Sequence, residues 1–184
     1  TGIFSLIQIA LPLDLVLGGL FRNPISESSS GAISSLFLGL LVLVQWPIGR
    51  YLSKKEPSYG LEISIFSFIV GSSLLGLSSL WKEGLYLVII AQIPIAIAIA
   101  SFLPTSTEAI VRFAPKSKRG LALALFSQCF AISALISPIM SGAIIDQYGN
   151  ASLIWIIMTL FCILSLPLVY QIRKNEKLQN LILN

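Results

Sequence analysis

Asp14 is the acid that stands deepest inside an apolar stretch of this chain, between Pro12-Leu13 on one side and Leu15-Val16 on the other. An ionised carboxylate inside a bilayer costs about 2.5–3.5 kcal/mol on insertion scales, so it needs a partner or a water-filled cavity. Two readings stay open. In one, Asp14 binds a proton or cation, as a coupling group or a substrate contact. In the other it is a carboxyl near the outer surface, protonated or reaching water, with Arg22 as partner if the helix end unwinds. Glu108 and Arg112 are four apart, the spacing and order of a helix ion pair. Glu62 opens an apolar block just past a basic segment, where it can meet Arg50 or Lys54 or complement the helix dipole. The chain has no histidine, which excludes a Ser-His protease, a His-ligated metal and a His-ligated haem. Cys129 and Cys162 both fall in apolar blocks and read as small packing residues. With no nucleophile and base set and no Gly-rich nucleotide loop, the chain is not expected to be an enzyme or a self-contained ATP-driven pump. No cofactor or metal is expected.

The elements that carry these residues are set by composition. Of 184 residues, 55% are hydrophobic and 11% charged, where a soluble domain carries about 25% charged residues. The apolar residues gather into six blocks, about 2–21, 31–51, 60–81, 84–112, 119–144 and 151–171, each long enough to cross the ~30 Å hydrocarbon core. The blocks are apolar on all sides, which excludes spanning strands with their alternating polar positions. The fold class expected is all-α, an integral membrane bundle of six transmembrane helices over residues 1–172, with a short basic tail over 173–184. The chain begins at Thr1 without a basic leader or a small-residue cleavage site, so it reads as a piece of a longer protein.

Charge sets the orientation. Arg50, Lys54, Lys55, Arg112, Lys116, Lys118, Arg119, Arg173, Lys174 and Lys177 fall after the second, fourth and sixth blocks, and only Arg22 and Lys82 fall on the other side. This bias puts both termini in the cytoplasm, with the lipid bilayer as partner. The cations form no patch with interleaved aromatics, so nucleic acid is not expected. Small residues recur every four positions, among them Ser133, Ser137 and Ser141 in the fifth block. With Pro138 and Gly142 they are candidates for close helix packing, although a serine row can also line a polar path. Prolines inside most blocks favour bent helices, more typical of a transporter or channel than of an anchor.

Two segments carry a family resemblance. Gln45-Trp46-Pro47-Ile48-Gly49-Arg50, followed by Leu52, Ser53 and Lys54, reads as a tight basic loop at the membrane surface. It resembles the loop between the second and third helices of each half of major facilitator superfamily transporters. Gly49 matches that pattern's first glycine and Lys54 its arginine by charge, while Tyr51, Ser53 and Glu56 stand at its leucine, acidic and second glycine positions. The stretch from Ala114-Pro115 through Arg119-Gly120, Ser137-Pro138, Gly142, Asp146 and Gly149 is similar to the family's fourth loop through the start of its sixth helix.

The resemblance implies helices seven to twelve of a twelve-helix carrier, whose two halves rock about a site near mid-membrane. It implies a cytoplasmic gating loop of Gly49, Arg50, Ser53, Lys54 and Glu62. It also implies gradient-driven transport of a small solute by alternating access in the plasma membrane, with a missing N-terminal six-helix half or a second copy as partner. The alternative is a non-transporting membrane remnant or an assembly partner.

Overall fold

A computed structural model describes residues 2–183, with the side chains of those residues other than 3 and 177–183. Six α-helices follow one another: α1 (Gly2–Leu17), α2 (Glu27–Leu52), α3 (Pro57–Ser78), α4 (Leu85–Phe113), α5 (Arg119–Tyr148) and α6 (Ser152–Leu183). A single 3-10 turn, Lys116–Lys118, joins α4 to α5. The last five helices are long and apolar enough to cross a membrane, and α1 contributes a shorter apolar helix.

The centre of the bundle is α3, lying antiparallel between α4 and α6. Small residues on α3 bring α4 close: Ser64 donates to the Ala98 carbonyl at 2.9 Å, and a Cβ on Gly60 would run into the Thr105 methyl. Backbone approach of this kind drives association where lipid is as apolar as the helix faces. On the α6 side, the Thr159 hydroxyl donates to Ser72 at 2.8 Å, and Trp155 packs by Gly76. The core fills in between with Phe68, Leu75, Ile95, Ile99, Trp155 and Met158. The first helix lies beside α5, with Gly2 next to Ser133, and Ser30 of α2 donates to the Pro12 carbonyl at 3.1 Å.

Several boundaries differ from the sequence reading. Gln45 to Leu52 is helical, so the connection to α3 shrinks to Ser53–Glu56. Pro47 lacks one backbone donor, yet α2 keeps its helical bonds to its end, where the Ser53 N–H reaches the Gly49 carbonyl at 2.9 Å. At 26 residues α2 is about 39 Å long and runs past the hydrocarbon core. At the other extreme, α1 ends at Leu17 and not near 21, and its 16 residues measure about 24 Å. Gly18 causes the stop: its φ of 85° lies in the left-handed region, which a side chain disfavours. The basic tail over 173–184 continues as helix through Leu183, and the side chain of Lys177 lies outside the described residues.

Candidate functional site

The loop after α1 folds back on the helix it terminates. The Gly18 N–H bonds the Asp14 carbonyl at 3.0 Å, and the Gly19 N–H bonds the Arg22 carbonyl at 3.1 Å. Those two turns bring Arg22 beneath the end of α1. Its Nη2 meets Asp14 Oδ2 at 2.9 Å and also donates to the Asp14 backbone carbonyl at 2.9 Å. Its Nη1 donates to Ser78 Oγ at 2.7 Å, at the C-terminal end of α3. From α6 the Trp155 indole N–H donates to the same Asp14 oxygen at 3.1 Å. Asp14 and Trp155 are 0% exposed and Arg22 3%, so no water competes for these bonds. The second turn also seats on α3, where the Phe21 N–H bonds the Ser79 carbonyl at 2.8 Å.

One buried ion pair thus ties α1, its loop, α3 and α6 together at one end of the bundle. A guanidinium at the last carbonyls of α1 also complements that helix dipole. Asp14 is therefore partnered by the unwound helix end that the second sequence reading required.

At the opposite end of α3 the charged contacts come from α6. Arg173 Nη1 reaches both Glu62 oxygens, at 2.9 and 2.8 Å. Glu62 therefore pairs with Arg173 and not with Arg50 or Lys54, because α3 and α6 pack face to face along their length. One turn further, the buried Glu176 carboxylate accepts the Ser58 N–H at 3.3 Å. Glu56, the residue capping α3, makes no side-chain cap bond, so Glu176 supplies the anion that a helix N-terminus favours.

The remaining sequence candidates are spread over the surface. Arg50 lies over the Trp46 ring, 5.7 Å from its centroid, and Ser53 Oγ donates to the Arg50 carbonyl at 2.9 Å. Lys54 is exposed. A Cβ on Gly49 would meet open space, so no close approach requires a glycine there. Glu108 and Arg112 are both exposed on the last turns of α4. On α5, Ser137 and Ser141 are buried, while Ser133 Oγ donates to the Cys129 carbonyl at 2.6 Å. Pro138 is exposed and a Cβ on Gly142 would touch nothing, so these two fall outside the packed row. Gln8, on α1, is an exposed polar side chain beside a concavity formed with Leu11, Pro12, Ser34 and Phe37.

Sequence reasoning passed over Ser78, Trp155, Arg173, Glu176 and Gln8. A Trp one turn inside an apolar helix was the available signal for Trp155, since a buried indole N–H needs an acceptor. Ser78 and Glu176 gave none, because both lie in ordinary polar positions at block ends.

An all-helical bundle of long apolar segments, with ion pairs folded inward, defines a polytopic membrane protein. The Major Facilitator Superfamily model matches residues 1–181, and the chain belongs to that family. Its six helices form a partial major facilitator bundle, and the protein is of major facilitator transporter type. Searches of curated proteins and of solved structures return no match.

Proposed function

We propose that this chain forms one wall of a gradient-driven carrier that moves a small solute by alternating access. The observation that carries this reading is the fastening of α6 to α3 at both ends, by Trp155 and Arg22 at one and by Arg173 and Glu176 at the other. Helices locked at two levels turn as one body, which rocking of a half requires. By contrast α2 buries only Ser30, Ile33, Phe37 and Leu52, and α5 only Ser137, Ser141 and Ile145. Those two helices are the surfaces against which a second wall, from six preceding helices or a second copy, would close. Gln8 is the polar group α1 offers to the path between the walls.

The distribution of Lys and Arg supports cytoplasmic termini. On this reading the protein sits in the plasma membrane, and Asp14 anchors Arg22, leaving ion and solute contacts to other residues. The test is uptake of radiolabelled solutes by proteoliposomes under an imposed proton or sodium gradient, with this chain alone and with its second wall. Uptake that needs both walls and collapses with an ionophore is expected. No gradient-dependent uptake across a broad solute panel by the complete assembly would favour a non-transporting remnant.

A further inference from the structure

The acids at the N-terminal end of α3 are Glu56, which has a partner of its own, Glu62 and Glu176. Arg173 neutralises Glu62, and the buried Glu176 turns to the Ser58 N–H. Nearby, three cations within six positions, Arg50, Lys54 and Lys55, make no ion pair among the described residues. They border one open concavity of about 420 Å³ with Trp46, Pro47 and Tyr51, and no acidic side chain borders it.

Aromatic rings place these cations. The Arg50 guanidinium sits over Trp46, and Lys55 Nζ lies 5.8 Å from the centroids of both Tyr51 and Tyr59. The two tyrosines are themselves joined, hydroxyl to hydroxyl, at 3.2 Å. A ring face attracts a cation without using its N–H donors, so those donors remain free for an anion. Trp and Tyr side chains settle at the headgroup level of a bilayer, which sets the depth of the concavity. One turn nearer the membrane centre, Val42 and Leu43 of α2 are 71% and 74% exposed, an apolar surface next to the charged one.

We propose that this concavity holds the headgroup of an anionic phospholipid, its phosphate between Arg50, Lys54 and Lys55 and an acyl chain along Val42 and Leu43. Arg50 offers a planar fork to two phosphate oxygens, and the lysines add point charge. The proposal needs only that the chain is embedded in a bilayer, so it stands or falls apart from the transport reading.

The test uses the chain reconstituted in phosphatidylcholine bilayers with trace spin-labelled phosphatidylglycerol or spin-labelled phosphatidylcholine. Electron paramagnetic resonance reads the share of each lipid immobilised by the protein. The wild type should prefer phosphatidylglycerol several-fold. Replacing Arg50, Lys54 and Lys55 together by Gln should bring the ratio near one, since each removes one charge that attracts an anionic lipid. The pair Lys116→Gln and Lys118→Gln, on the α4–α5 turn, should keep the preference, and millimolar inorganic phosphate at constant ionic strength should not displace the lipid. Circular dichroism confirms that each variant is helical in the bilayer. The proposal is overturned by equal immobilisation of both lipids in the wild type, by a preference that survives the triple change, or by an equal loss in the Lys116 and Lys118 pair. Displacement by inorganic phosphate would overturn the assignment to lipid.

Discussion

Both ends of α3 are fastened by an Arg–carboxylate pair, and the two pairs differ in everything but chemistry. At the C-terminal end Asp14 and Arg22 are buried, and Ser78, Trp155 and a helix carbonyl add hydrogen bonds to the pair, while Asp14 Oδ1 and Arg22 Nε have no partner among the described residues. At the N-terminal end the Arg173 and Glu62 side chains are 43% and 30% exposed. Burial makes the first pair hard to break, because removing one partner strands a charge where water cannot reach it. Exposure makes the second nearly dispensable, because water and salt replace a lost partner. The buried pair is thus the firmer of the two ion pairs, and the exposed pair the weaker.

The sharpest way to break this contrast is Arg22→Gln, which leaves Asp14 buried without its cation. It should cost about 3–5 kcal/mol in reversible unfolding from mixed micelles. A cost below that of an exposed pair would remove the distinction between the two ends. Next in size, Trp155→Phe keeps the ring and deletes one hydrogen bond to the carboxylate. A loss of about 1–2 kcal/mol is expected in the same titration, and no change would separate α6 from the buried pair.

Arg173→Gln probes the exposed pair and should cost at most ~1 kcal/mol, less still in high salt. A larger, salt-insensitive loss would mean that this pair is as protected as the buried one. The smallest effect belongs to Gly49→Ala. With open space around its Cβ position inside α2, alanine should be neutral or stabilise by up to ~1 kcal/mol. A clear loss of assembly would restore a role for that glycine at a partner surface.

The blocks themselves were legible, since six apolar runs match six helices to within a few residues at most ends. Pairing of those helices was not. Each block is apolar on all sides, so no stripe tells which face of α3 meets α4 and which meets α6. The contacts are set by single small residues such as Gly60 and Ser64, and small residues recur through the chain.

The Trp-Pro-Ile-Gly run suggested a loop because Pro and Gly punctuate soluble helices. In a membrane-length helix the surrounding ladder carries a proline such as Pro47 through. Asp14 was legible as an acid needing a partner, with Arg22 as that partner if the helix end unwinds, but the turn at Gly18 that unwinds it was passed over. That Trp155, more than a hundred residues away, completes the site depends on the docking of α6 and has no local signature.

The most direct test is a double-mutant cycle on Asp14→Asn and Arg22→Gln, followed by unfolding in mixed micelles. If the two side chains form one buried unit, the double variant is far more stable than the summed single losses allow, with a coupling of about 2 kcal/mol or more. Losses that add to within ~0.5 kcal/mol would show that Asp14 and Arg22 act independently. The carboxylate would then be free for a proton or cation, contradicting its assignment as the anchor of the buried pair.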